Sequence, residues 1–499
     1  MAIAVRPDPP RAAPEPVGHT GRLVSGALVA LVVLGAVLRL WGLGGNQLGY
    51  DEAFTAMAGR LPLGSLFGFL RAQDSHPPLD YLLHVPLARL GVSALVFRMP
   101  SALCSIAALA LFAWWMRDRG RAGLFATALM AVSAFQITHG RNARMYAELE
   151  LLGVAIAILA ESWLRAPRKR HAPILAALVL VGMLTHVSMF LVAIGLFALA
   201  GRRTDREAWR WRGAIAGAGA AWAVIWGPSF IAQSRGGHSD WIPRTTASGV
   251  VDTVSRLVTN DTVGALALFA AVIVGGVLLW RRERGVGSVW WAAFALPVAL
   301  AALAGLFAPV LLDRTLTLTS WAPLLALGVL LDVVLRRSVV VGALAVLALA
   351  LLMVPPTVTA ITGTTGADRA LRRLEAVARP GDVVAVRSAI KAPEIEWSLG
   401  VRSGQSWRPV SLPGITPVVS AMALGGGPPS GRVWLLDWNS LVRQADDYTR
   451  CAPDQNFGRS RIVCLQHTGS SVAGSTTTES EQPAVDGHDD LALARHHTT

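Results

Sequence analysis

The sequence predicts a mainly helical, polytopic membrane protein with about eleven transmembrane helices and a small extracytoplasmic α/β domain. Three observations predict it. Of 499 residues 53% are hydrophobic and only 15% are charged, with a mean hydropathy of +0.48, too apolar for an ordinary soluble enzyme. The apolar residues fall in runs of spanning length. Arginines cluster between those runs, as they do on the cytoplasmic side of membrane proteins. The net charge of +13 is therefore read as topology. No basic stripe interleaved with aromatics supports nucleic-acid binding.

In chain order, residues 1–22 are rich in Pro and Ala and read as a disordered cytoplasmic N-terminus without a cleavage site. Apolar runs follow at about 23–41, 94–116, 122–139, 147–164, 172–200, 213–232, 263–280, 289–309, 321–335 and 338–356. Basic clusters mark one side: Arg6, Arg11 and Arg22; Arg117, Arg119 and Arg121; Arg165 to Arg170; Arg202 to Arg212; Arg281 to Arg284; Arg336 and Arg337. Run 172–200 has such clusters at both ends, so it reads as a helical hairpin bending near Thr185-His186, which makes the eleventh helix. A single long crossing is the alternative and would reverse everything downstream. Residues 23–356 thus form the transmembrane domain. Its outer face collects loop 42–93, the segment His139 to Tyr146, the bend at His186, loop 233–262, Asp313-Arg314 and the C-terminal region.

Residues 357–467 change character. Ala367 to Ala378 has helical periodicity and stops at Pro380-Gly381, and 382–386, 432–436 and 461–464 read as strands. This is the expected extracytoplasmic α/β domain, and the Ser/Thr/Glu/His-rich tail 468–499 is expected to be disordered. Cys451 and Cys464 are disulfide candidates if they lie outside the cytoplasm, whereas Cys104 sits in an apolar run. With no internal repeat and no phosphate-binding Gly-rich loop, nucleotide-driven transport has no support.

Polar residues on the outer face carry the chemistry. Asp51-Glu52 follows a Gly-rich turn, and one carboxylate there is a candidate general base with a helix cap as the plain alternative. Asp74 and His76 are of the types that ligate a divalent metal, and Pro77-Pro78 holds their loop extended. Arg141 and Arg144, with Tyr146, lie on the outer side against the positive-inside bias, where a forked guanidinium suits a phosphate. Arg314 has a similar position. Arg39 and Arg98 are expected to snorkel or to pair with a carboxylate. His186, His238 and Asp240 are further polar groups, each more often structural than ligating.

The order Asp51-Glu52, Asp74-Ser75-His76-Pro77-Pro78-Leu79-Asp80-Tyr81, Arg98-Met99-Pro100-Ser101 and Ala143-Arg144-Met145-Tyr146 resembles the GT-C membrane glycosyltransferases. The resemblance is to the group of protein O-mannosyltransferases (glycosyltransferase family 39) and lipid A aminoarabinose transferases, and it covers about residues 20–335. It implies that Asp51 is the base, that His76 to Leu79 lie by the donor pocket, and that Arg144 and Tyr146 meet donor phosphate. Asp80-Tyr81 stands where protein O-mannosyltransferases usually continue with Gly-Lys, which argues against a protein acceptor.

The expected function is transfer of a sugar, with inversion, from a polyprenyl-phosphate donor to an acceptor hydroxyl on the extracytoplasmic face. Asp51 is the catalytic residue, with Glu52, Asp74 and His76 supporting or metal-linked. Arg141, Arg144, Tyr146 and Arg314 bind donor phosphate. The bilayer, the lipid-linked donor and a glycan, lipid or protein acceptor are the partners, and a divalent metal is the one candidate cofactor. A transporter or flippase for a lipid-linked sugar and a silent assembly scaffold are the alternatives. Interrupted helices with paired halves would favour the first.

Overall fold

The computed structural model describes residues 19–235, 242–308, 310–386, 392–402, 407–409, 415–416, 420–425, 431–438, 443–444, 448–457 and 460–468. His238, Asp240 and the expected tails 1–18 and 469–499 lie outside them. The chain is mainly helical, with its strands confined to the C-terminal region. It divides into two units. The first comprises the described chain up to Trp41, Leu70–Asp80 and Arg98–Thr362; the second comprises Gly42–Phe69, Tyr81–Phe97 and the described residues from Gly363 onward.

The first unit is a helical bundle. Among the described residues six helices are long and apolar enough to cross a membrane, or seven if the pair Gly120–Val132 and Ala134–Gly140, bent by 51°, is one span. That is fewer than the eleven expected, for physical reasons visible in the remaining helices. His171–Thr185 and Met189–Ala200 are apolar but short. Tyr146–Arg165 carries Glu148, Glu150, Glu161 and Arg165, and Trp321–Arg337 has only 17 residues.

Small residues set the packing. A Cβ on Gly328 would meet Ala126 N at 2.6 Å and Ala122 O at 2.7 Å, so the helices Gly120–Val132 and Trp321–Arg337 touch backbone to backbone only because that position is glycine. Gly275 faces Ala326, and Gly153 faces Leu318, in the same way. The break at Ser133 is stabilised locally: its hydroxyl donates to Val258 O at 2.8 Å and accepts from Gln136 N at 3.4 Å, one bond closing a helix N-terminus.

Arg39 is fully buried in this unit. Its Nε donates to Ser105 Oγ at 2.7 Å, and Ser105 donates to the buried Glu150 at 3.1 Å. Arg39 therefore pairs with a carboxylate through a hydroxyl rather than reaching for the interface. Turning the Gln136 amide lets its nitrogen donate to both Glu150 oxygens, at 2.7 and 2.9 Å.

The bundle has two chemically distinct ends. At one, Arg119 and Arg165 pair with Glu161, and Arg121, Arg282 and Arg336 pair with Asp332. The other end holds Asp74, His76, Arg144 and His186. Helix His171–Thr185 starts near the arginine end, where His171 Nε2 lies 3.4 Å from Ser162 Oγ. His186 lies at the far end against His76. Arg202, after Met189–Ala200, is back beside Ser288 at 3.0 Å. The chain thus turns at His186.

In the second unit the first loop packs with the C-terminal region. Asn46 Nδ2 donates to Gly363 O at 3.1 Å, Gln47 N to Asp368 at 2.6 Å and Gln47 Nε2 to Glu375 at 2.8 Å. Helix Gly366–Val377 is close to its expected span. Strands β1 (Val383–Val386), β2 (Trp407–Pro409), β3 (Ile415–Thr416), β4 (Ser420–Leu424), β5 (Arg432–Trp438), β6 (Arg443–Gln444), β7 (Tyr448–Phe457) and β8 (Ser460–His467) follow. They form a six-stranded sheet in the order β2-β4-β1-β5-β8-β7 and a separate pair β3-β6. Strands β1 and β5 run parallel; the other pairs of the larger sheet are antiparallel.

Alternation along the strands makes two apolar faces. Val384, Val386, Trp434, Leu436 and Ile462 pack with Ala370, Leu371 and Leu374 of the helix, while Val383, Ala385, Val433, Leu435 and Val463 form the other face. Asp382 anchors the start of the two central strands β1 and β5: Arg432 reaches both of its oxygens at 2.8 and 2.6 Å, and Trp434 Nε1 donates at 2.9 Å. Cys451 and Cys464, on neighbouring strands β7 and β8, form a disulfide with their Cα atoms 5.3 Å apart.

Candidate functional site

In the helical unit the site grows from the loop Asp74-Ser75-His76-Pro77-Pro78. Asp74 Oδ1 accepts from Ser75 N at 2.8 Å and lies 2.9 Å from His76 Nδ1. Gln233, near the end of helix Arg206–Ser234, holds the loop from behind: its Nε2 donates to Leu70 O at 3.0 Å and to His76 O at 3.1 Å. Gln233 is 4% exposed, and sequence reasoning missed it. The one signal was an amide at the end of the apolar stretch that follows Arg212 in this helix.

Three cationic or imidazole groups converge on this loop. Arg144, 2% exposed, brings Nη2 to 3.3 Å from His76 Nδ1. The carboxylate at 2.9 Å is closer, so Nδ1 carries its proton toward Asp74 and Arg144 is an electrostatic neighbour. The rings of His76 and His186 are 5.3 Å apart. His186 Nδ1 accepts from Ser188 N at 3.0 Å, leaving its own proton on Nε2. His186 sits in the break between two helices, and its pKa is pushed well below the ordinary value, first by burial and then by His76, Arg144 and Arg314. Arg314, in the 3-10 turn Arg314–Thr319, is half-buried and is one of the charges that lower that pKa.

Two further expected members make contacts within the bundle. Arg141 Nη1 donates to Leu38 O and Arg39 O at 3.2 Å and to Trp41 O at 2.5 Å. It caps the carbonyls at the end of the first helix through this one nitrogen. The Tyr146 ring is buried edge-on against His139 at 4.9 Å between centroids.

Asp74 Oδ1 and His76 Nδ1, the expected metal-ligating pair, lie against each other at 2.9 Å, so the carboxylate orients the imidazole. Among the described residues no group of three or more His, Cys, Asp and Glu could hold an ion.

In the second unit Asp51 and Glu52 lie in the first turn of helix Tyr50–Ala58. Glu52 Oε2 accepts from Gly49 N at 3.0 Å, the carboxylate half of a capping box. Capping is thus done by Glu52, which is buried, while Asp51 is half-buried. Helix Ala392–Ile395 packs on this same helix. It leads into a π-helical segment whose Trp397 ring meets Phe97 edge-on at 5.2 Å.

The fold is similar to that of solved ArnT structures, which are of the GT-C type. ArnT from Cupriavidus metallidurans in the apo state superposes with a TM-score of 0.51 and 15% identity over 89% of this chain and 98% of that one. ArnT bound to undecaprenyl phosphate gives 0.51 and 14% over 90% and 98%. The Archaeoglobus fulgidus oligosaccharyltransferase complex with Zn and sulfate reaches 0.45 and 12% over 74% of this chain, and this chain spans only 61% of its length. No family model and no curated protein sequence matches.

Proposed function

We propose that the chain is an integral membrane glycosyltransferase that moves a sugar from a polyprenyl-phosphate donor to an acceptor hydroxyl on the extracytoplasmic face. The observation that carries this reading is the cluster of Arg144, His76 and His186 at the end of the bundle without the arginine–carboxylate hubs. Buried, cationic and neutral N–H groups gathered there suit a phosphate leaving group. The shared fold with ArnT, which was crystallised with undecaprenyl phosphate, supports a lipid-linked donor.

The acceptor oxygen attacks the anomeric carbon as its proton passes to Asp51, and the bond from that carbon to the phosphate oxygen breaks. The electron pair leaves with polyprenyl phosphate. Arg144 and Arg314 supply fixed positive charge to that developing anion, and the neutral His186 supplies a hydrogen-bond donor at Nε2. One displacement inverts the sugar. Asp51 is assigned its role from the order of motifs in the chain.

A panel of polyprenyl-phosphate sugars, offered to the protein in membranes with the acceptor product read by mass, tests the proposal. Glycoside formation that requires Asp51 is the expected result. Movement of labelled lipid across a vesicle bilayer with no glycoside formed would replace the enzyme by a flippase.

A further inference from the structure

At the arginine end of the helical unit, two hubs differ in charge. Glu161 receives Arg119 at 2.7 Å and also pairs with Arg165, while Arg119 Nε lies 3.3 Å from Glu283. Two arginines face two carboxylates there, and the hub is neutral. Asp332 is different. It is 1% exposed and meets Arg282 at 3.0 Å, Arg336 at 3.0 Å and Arg121 at 3.4 Å, so three positive charges surround one negative charge.

The three guanidiniums come from separate helices and stay open to the outside, at 52% for Arg121, 41% for Arg282 and 58% for Arg336. A guanidinium has five N–H donors, and those not facing Asp332 make no hydrogen bond within the described residues. The surplus is two positive charges carried on donors that fit phosphate oxygens. Apolar surface lies directly beside them. Val339, Val340 and Val341 are 73%, 69% and 54% exposed just after the helix that carries Arg336, and Trp280 is 43% exposed just before Arg281 and Arg282. Exposed tryptophan beside arginine at a helix end is the usual make-up of a membrane interface.

We propose that Arg121, Arg282 and Arg336, gathered by Asp332, form a binding site for an anionic phospholipid, with phosphate on the guanidiniums and acyl chains along the exposed valines. A lipid with two phosphates, a diphosphatidylglycerol, matches the surplus charge. The carboxylate sets the spacing of the three arginines, which is what distinguishes a site from a general basic surface. This inference is independent of the reaction assigned above.

The test uses the full chain in detergent, titrated with diphosphatidylglycerol, phosphatidylcholine or inorganic pyrophosphate, with bound lipid counted by native mass spectrometry and melting followed in parallel. Diphosphatidylglycerol should be retained and should raise the melting temperature, and the other two should not. Each arginine near a membrane surface contributes on the order of a fivefold change in binding, so R282Q/R336Q should bind roughly 30-fold more weakly. If that pair fails to fold, R121Q serves, because it leaves both shorter contacts to Asp332 in place; about fivefold weaker binding is expected. Arg210, which pairs with Glu207 elsewhere, is the control, and R210Q should bind as wild type does. Retention unchanged in R121Q, equal loss in R210Q, or equal stabilisation by phosphatidylcholine or pyrophosphate would overturn the proposal.

Discussion

Asp74 Oδ1 lies 2.9 Å from His76 Nδ1, and this contact fixes the imidazole with its Nε2 lone pair facing away from the carboxylate. Such an orienting carboxylate is worth more than its own charge. Without it the ring can adopt the other tautomer and rotate, while the loop backbone remains held by Gln233. Asp74→Asn should lower sugar transfer by about 10- to 100-fold, the range seen when a carboxylate that orients a histidine is removed. Transfer assays beside melting curves check this; a parallel fall in melting temperature would mean the loop itself had collapsed.

Asp51 and Glu52 are neighbours with separable roles. Glu52 closes the helix N-terminus on Gly49 at 3.0 Å, and a glutamine can make the same bond. Glu52→Gln should therefore leave stability within a few tenths of a kcal/mol, and Glu52→Ala should cost about 1 kcal/mol. Asp51→Asn should leave melting unchanged and lower transfer by about 10²- to 10⁴-fold, as expected for loss of a general base. Transfer at the wild-type rate by a well-folded Asp51→Asn protein would remove Asp51 from the mechanism.

How much of this was legible follows from the kind of interaction involved. The helix 366–377 and strands β1, β5 and β8 were readable because period and turn residues act locally, and Gly381, with φ at +91°, makes the turn between the helix and β1. The loop carrying Asp74 and His76 was readable because residue type and Pro77-Pro78 mark it. Arg141 was not, because nothing local distinguishes a guanidinium that caps carbonyls 38–41, about a hundred residues away, from one that awaits phosphate. The membership of the first loop in the C-terminal unit was equally hidden, since it rests on contacts more than 300 residues apart in sequence.

Glu396 gives the second unit a pH dependence. Its side chain is 2% exposed, one carboxyl oxygen has no hydrogen-bond partner, and burial pushes its pKa up to about 7 from 4.5. The folded unit thus binds a proton that the unfolded chain releases between about pH 4.5 and 7. Stability from this group is fully present below pH 4.5 and is lost as pH rises through 7. Glu396→Gln should flatten that slope and raise the melting temperature most at pH 7 to 8. Melting of the full chain across this range checks it, and a wild-type slope that survives in Glu396→Gln would assign it to another group.

The disulfide between Cys451 and Cys464 joins β7 to β8 across 13 positions of sequence. Its closure removes freedom from the unfolded chain worth about 3 kcal/mol for a loop of this size, so Cys451→Ser/Cys464→Ser should lower stability by about 2–4 kcal/mol. Disulfides persist where the compartment is oxidising. Whole cells treated with a membrane-impermeant reductant and then an impermeant maleimide should therefore label both cysteines, with Cys104, inside the apolar helix Ala94–Met116, as the silent control; labelling only after the cells are opened would put the C-terminal unit in the cytoplasm and reverse the proposed orientation.

Arg39 and Glu150 supply the last test. Both are fully buried in the helical unit and linked through Ser105, by bonds of 2.7 and 3.1 Å. Removing one partner of a buried pair leaves the other charge in an apolar interior, at a cost of about 3–5 kcal/mol. Replacing both with apolar residues removes the two charges together and is often close to neutral. Arg39→Met and Glu150→Leu should each destabilise strongly, and the double variant should recover most of the loss. Because Glu150 lies on the helix that begins at Tyr146, two turns from Arg144, the double variant should melt almost as wild type does yet transfer sugar more slowly, through a rise in donor KM rather than a fall in kcat. Additive destabilisation in the double variant would show that the two side chains do not sense each other, and that the hydroxyl of Ser105 links them in distance alone.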